Sequence, residues 1–183
     1  MDALKLLAEL IKQKNQIDDE IAAILQRPAQ IGHAGEYIAA RIFDIRLVES
    51  ASHKAIDGYF NSGVLARKSV NIKWYGKQEC ILDITPNALP DFYLVMTGPK
   101  AAAVTSRGGT RPWAIDFAYL FPAGELVSTL LERHVKIGVA TSVTKQCWDQ
   151  AEISPRAQSR YLRLTVEQIK QIGWFSSSFF TAI

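Results

Sequence analysis

Between residues 3 and 27 there is neither Gly nor Pro, and Ala3, Leu7, Leu10, Lys14, Ile17, Ile21 and Ile24 recur at alternating spacings of four and three. That rhythm is one face of a helix, and Pro28 ends it. Two arrangements would cover the stripe. The helix can pack on its own domain, or serve as a short coiled-coil arm that joins two copies into a homodimer, with Lys14 as the polar position in the seam. Asn15-Gln16 offers a break that would turn the arm into a helical hairpin.

A second helix is predicted over residues 35–43, where Ile38, Ala39, Ile42 and Phe43 supply an apolar stripe and Gly32 and Gly35 mark the start. The rhythm then changes to β-branched and aromatic runs at 55–60, 69–75, 91–97 and 113–121, separated by turn material such as Asn61-Ser62-Gly63 and Gly98-Pro99. A helix over 125–133, a short apolar strand over 136–141 and a last helix from about Thr165 complete the pattern. Helix, strands, helix, strand, helix implies an α/β class chain with a central sheet. Residues 1–28 form an N-terminal arm and residues 29–183 one domain, with no repeat or linker in between.

Composition narrows the function classes. With 48% hydrophobic and 21% charged residues, the 183-residue chain carries the signature of a folded domain. Its net charge of +3 does not by itself point to nucleic acid, which would need a local basic surface. Cys80 and Cys147 make no disulfide framework, and three scattered histidines give no zinc spacing. A reducing, cytoplasmic setting and no membrane partner are expected, since neither a signal peptide nor a membrane-length apolar run is visible. No Walker loop, nucleophile elbow or cofactor lysine motif is found.

Chemistry gathers in Ala55-Ile56-Asp57-Gly58-Tyr59-Phe60 and Val70-Asn71-Ile72-Lys73-Trp74-Tyr75. Strand alternation puts Asn71, Lys73 and Tyr75 on one face and Val70, Ile72 and a buried Trp74 on the other. A hairpin between the segments lays Asp57 across from Asn71 and Lys73. Plainer readings stand beside this one. Asp57-Gly58 also suits a turn, Lys73 a solvated strand edge, and Glu36 the N-terminal turn of a helix. Asp44, Glu49, Glu79 and Asp83 are alternative acids, His33 and His53 lie near in sequence, and Asp91 reads as the start of a strand.

These residues resemble the PD-(D/E)XK nucleases, and within them the Mrr-like restriction enzymes. In that family an Asp on one strand precedes an acidic residue or Gln two places before a Lys on the next, often with a Glu on the preceding helix. Asp57 matches the first, Asn71-Ile72-Lys73 the second and Glu36 the third, in the family's order, over residues 32 to about 97 and on to 141 as distal sheet and helix. The resemblance implies a restriction-endonuclease-like central mixed sheet flanked by helices, and a metal-dependent endonuclease acting on DNA, double-stranded in the first instance. It further implies that Asp57, Glu36 and Asn71 ligate Mg²⁺ or Mn²⁺ while Lys73 positions a water or stabilises charge on the phosphate. Asn71 stands where the family has Glu, Asp or Gln and offers only a neutral oxygen, which makes the site charge-poor and favours Mn²⁺ over Mg²⁺. The alternative is a catalytically degenerate module that binds nucleic acid or a protein partner.

A second feature is Thr105-Ser106-Arg107-Gly108-Gly109-Thr110-Arg111-Pro112-Trp113. Two arginines about a Gly-Gly turn suit a phosphate-contacting loop, and equally an ordinary exposed hairpin. Lys68 and Lys77, with Arg107 and Arg111, would form the local nucleic-acid-binding surface. Arg156, Arg160 and Arg163 extend it or merely solvate it.

Overall fold

The computed structural model describes residues 2–49, 55–100 and 111–178. In chain order the elements are α1 (Ala3–Leu25), α2 (Ile31–Ile42), β1 (Ile45–Leu47), β2 (Gly58–Phe60), β3 (Ser69–Tyr75), β4 (Ile81–Leu82), β5 (Phe92–Thr97), β6 (Phe117–Pro122), α3 (Ala123–Glu132), β7 (Thr141–Ser142), α4 (Lys145–Ala151), β8 (Glu152–Ser154) and α5 (Val166–Gly173). Six strands form one mostly antiparallel sheet in the order β1-β2-β3-β5-β6-β8, and β4 pairs with β7 in a small second sheet. Within the six-stranded sheet β3 and β5 run parallel, in register from Val70↔Phe92 to Tyr75↔Thr97.

β5 is buried along its whole length because both faces of the sheet are covered there. Phe92, Leu94 and Met96 join Val70, Ile72 and Trp74 against Ala34, Ile38 and Ile42 of α2 and Ile172 of α5. Tyr93 and Val95 join Tyr119 and Phe121 against Leu126 and Leu130 of α3 and Trp148 of α4. The pleat therefore divides the core into two layers, and truncating a fully buried residue such as Leu94 to Ala should cost roughly 2–5 kcal/mol.

α1 runs unbroken through Asn15-Gln16, so a single helix replaces the hairpin alternative. The Asp2 carboxylate caps it by accepting from Leu4 N–H at 3.0 Å, and Gln26 ends it in the left-handed region at φ 53°. None of its residues is buried. Most of the stripe is exposed; toward the end of the helix Ile21, Ala22 and Leu25 are half-buried, and Leu25 packs on the first core layer. Among the described residues no helix is long and apolar enough to cross a membrane.

The run over 69–75 is a strand with those bounds, but the expected strand over 136–141 does not form. His134 and Ala140 both adopt positive φ, near 56°, so the chain turns at each end of the apolar run. Val135 and Ile137 pack on the second core layer from a loop, and only Thr141–Ser142 reaches a partner strand. The strand expected from 113 starts at Phe117 instead. Before it, Ala114 O accepts from the Trp74 indole at 2.9 Å and Ile115 N–H donates to Phe175 O at 2.7 Å, which spends the backbone outside the ladder.

Candidate functional site

β3 is held from both sides by aspartates. On the β2 side the ladder pairs Tyr59 with Ser69 and Gly58 with Val70. Asp57 N–H also donates to Val70 O at 2.9 Å, so Asp57 and Gly58 together oppose one residue. The Asp57 side chain then takes over from the backbone, Oδ2 accepting from Ile72 N–H at 2.6 Å. Gly58 makes this possible, because a Cβ there would stand 2.6 Å from Arg46 O and 2.7 Å from Ile45 Cγ2 on β1. On the β5 side Asp91 Oδ2 accepts from both the N–H and the hydroxyl of Ser69, each at 2.8 Å.

Glu36 reaches the neighbourhood of Asp57 because α2 lies hard against β3. A Cβ on Gly35 would sit only 3.0 Å from Trp74 Cβ, and the next residue carries the carboxylate. Arg27, just after α1, donates from Nη1 to Glu36 Oε2 at 2.5 Å. Burial pushes the Asp57 carboxyl above its ordinary value. Ile72 N–H opposes that shift, the negative charge of Glu36 adds to it, and Lys73 and Arg27 pull it back down. Asp57, Glu36, Lys73 and Arg27 thus form one electrostatic cluster of two carboxylates and two cations. Among the described residues Lys73 makes no ion pair of its own.

Asn71 lies with Lys73 on the face of β3 turned from α2, since Val70 and Ile72 face α2 while Tyr93, the register partner of Asn71, faces α3 and α4. It is 5% exposed, and its Oδ1 has no hydrogen-bond partner among the described residues. Arg27 was not anticipated. The signal was present, since a cation directly before Pro28, at the mouth of the second helix, stands where a helix-borne acid can meet it.

The expected nucleic-acid contacts are partly engaged elsewhere. Lys68 pairs with Asp91 at 3.1 Å, and Arg111 grips Glu79 with two hydrogen bonds of 2.6 and 3.0 Å. Lys77 is half-buried and makes no ion pair among the described residues. Arg107 and His53 lie outside the described residues. Of the alternative acids, Asp83 accepts from Tyr75 OH and Ala140 N–H, and Asp44 accepts from Asn61 and Ser62. His33 Nδ1 lies 2.9 Å from Pro28 O, a structural contact at the start of α2. Among the described residues no three His, Cys, Asp or Glu side chains form a group able to hold a metal.

No protein-family model matches the chain. No curated protein matches it either.

Proposed function

We propose that the chain is a metal-dependent phosphodiesterase of endonuclease type, acting on double-stranded DNA at Asp57, Glu36 and Lys73 on a restriction-endonuclease-like sheet. The observation that carries the reading is Asp57 itself. Its carboxylate is fixed to the Ile72 amide, half-buried, and lies in the field of a second carboxylate and of Lys73, which makes no other ion pair among the described residues. Further support comes from the sheet, in which three antiparallel strands are continued by a parallel one with helices on both faces. One departure is the connection from β3 to β5, which carries only β4 where a helix commonly crosses.

The donor chemistry fits a hard divalent cation in part. Burial and the Glu36 charge both disfavour ionised Asp57, and a cation between the two carboxylates would relieve both effects. Asp57 and Glu36 would hold Mg²⁺ or Mn²⁺, and Arg27 competes for Glu36. Asn71, on the face of β3 that also carries Lys73, would add one neutral oxygen, its Oδ1 being without a hydrogen-bond partner among the described residues. When bound, the ion supplies Lewis acidity at the phosphate and lowers the pKa of a water. Lys73 places a positive charge beside Asp57, where a phosphodiester under in-line attack gains negative charge. The Ile72 amide keeps Asp57 from rotating out of position.

Incubating double-stranded DNA with the protein and Mn²⁺ or Mg²⁺, beside Lys73→Ala, tests this. Cutting that depends on Lys73, and that is stronger in Mn²⁺ than in Mg²⁺, is expected; equal cutting by both proteins sinks the assignment. A second reading, a DNA-binding module without catalysis, is favoured by the Arg27–Glu36 pair, which already neutralises one of the two carboxylates. DNA retained by both proteins and cut by neither in either metal selects it.

A further inference from the structure

α1 leaves Leu4, Leu6, Leu7, Leu10, Ile11, Ile17 and Ile24 between 43 and 72% exposed, and of its apolar residues only Ile21, Ala22 and Leu25 are half-buried. Helices in proteins gain most of their stability from packing an apolar face, and this 23-residue helix leaves most of its face uncovered. The exposed part of the stripe, Leu7, Leu10, Ile17 and Ile24, therefore calls for a cover that the described residues of the domain do not provide. The charges along the helix say which. Residues 3–14 carry Lys5, Lys12 and Lys14 against Glu9, whereas residues 15–25 carry Asp18, Asp19 and Glu20 and no cation. One half is basic and the other acidic.

We infer that α1 docks antiparallel on α1 of a second copy of this chain, basic half on acidic half. In the seam Leu7 meets Ile24 of the partner subunit, Leu10 meets Ile21 of the partner subunit, and Lys14 meets Ile17 of the partner subunit. Lys14 decides the direction. A parallel pair would bring the two Lys14 ammonium groups into one layer of an apolar seam, an arrangement that costs stability. The antiparallel pair sets each beside Asp18 of the partner subunit, the residue type with which it already pairs inside its own helix. A lipid surface is the weaker occupant, because three lysines against four carboxylates leave α1 net negative while membrane surfaces are anionic. The inference is independent of the chemistry assigned to Asp57.

Sedimentation equilibrium of the full chain tests it. Dimer is expected at chain concentrations of about 50 µM, in the weak range of a helix pair only three heptads long. Leu10→Glu with Ile17→Glu, both exposed positions, should give monomer with an unchanged melting temperature of the domain. Lys12→Glu with Lys14→Glu should weaken the dimer roughly tenfold, and adding Asp18→Lys with Asp19→Lys should restore it to within about threefold, since the basic and acidic halves then simply exchange. A wild-type chain that stays monomeric overturns the proposal, as does a dimer indifferent to the Leu10→Glu and Ile17→Glu pair. Indifference to the first charge reversal, or failure of the second to restore the dimer, overturns the antiparallel docking.

Discussion

Asp57 and Asp91 perform the same structural task on opposite sides of β3, yet their carboxyls titrate in opposite directions. Each accepts a β3 backbone N–H, Asp57 from Ile72 at 2.6 Å and Asp91 from Ser69 at 2.8 Å. For Asp57 burial dominates and the nearby Glu36 adds to it, so the carboxyl is raised. Asp91 is 39% exposed; burial works to raise it too, but the Ser69 amide and hydroxyl and the Lys68 ammonium outweigh that, and it ends lowered. A hydrogen bond to a strand edge therefore explains Asp91 completely and Asp57 only in part. The excess at Asp57 is a carboxyl whose ionised form burial and Glu36 both disfavour, and it is this that the proposed site rests on.

The largest test of that contrast is to remove each charge while keeping an acceptor. Asp57→Asn should lower metal-dependent cutting of DNA by roughly 100-fold or more, while melting no lower than wild type at pH 7. Asp91→Asn should leave cutting within about threefold but lose about 1 kcal/mol of stability, the scale of a charge-assisted hydrogen bond made neutral. Measured by thermal unfolding and a nuclease assay on the same preparations, a matching loss of stability in both variants would reduce Asp57 to a second strand clamp.

Their pH dependence should split as well. A carboxyl raised in the folded state stabilises at low pH and costs stability as pH climbs through its folded value; a lowered one stabilises above its unfolded value near 3.8 and loses that as pH falls through its folded value. The melting temperature of Asp57→Asn relative to wild type should accordingly rise between pH 4 and 7. Over the acid range the deficit of Asp91→Asn should shrink as wild-type Asp91 takes up its proton. Parallel curves for the two variants would contradict the opposite shifts.

How much of this was legible in the sequence follows the reach of each signal. The β3 strand could be read with its bounds, and so could the proximity of Asp57 to it, because alternation and turn residues act over a few positions. What lay beyond was set by distant contacts. Asn71 shares a face with Lys73 as the alternation requires, but which face α2 covers is fixed by Gly35 against Trp74, a contact that no local pattern reveals. That contact leaves Asn71 and Lys73 together on the face away from α2. β8 escaped notice because its edge position buries Glu152 completely, satisfied by Arg156 four residues on, and a buried glutamate hides a strand from any hydrophobic pattern. The long helix was plain, whereas its failure to pack most of its stripe on the domain was not, since periodicity gives a face and not its cover.

The smallest effect belongs to Lys68, and it isolates what makes the Asp91 clamp. Lys68 is 53% exposed and pairs with Asp91 at 3.1 Å, while Ser69 supplies two hydrogen bonds to the same carboxylate from positions fixed by the strand. An exposed pair of this kind contributes about 0.2–1 kcal/mol and is screened by salt, so Lys68→Met should lose no more than that at low ionic strength and nothing measurable near 1 M salt. Loss of the cation should also let the Asp91 carboxyl drift back toward its ordinary value, which carbon-detected NMR titration would follow. The same variant reports on DNA. If Lys68 leaves Asp91 to meet a phosphate, the slope of log affinity against log salt should fall by about one. An unchanged slope keeps Lys68 with Asp91, as a strand-edge partner and not a DNA contact.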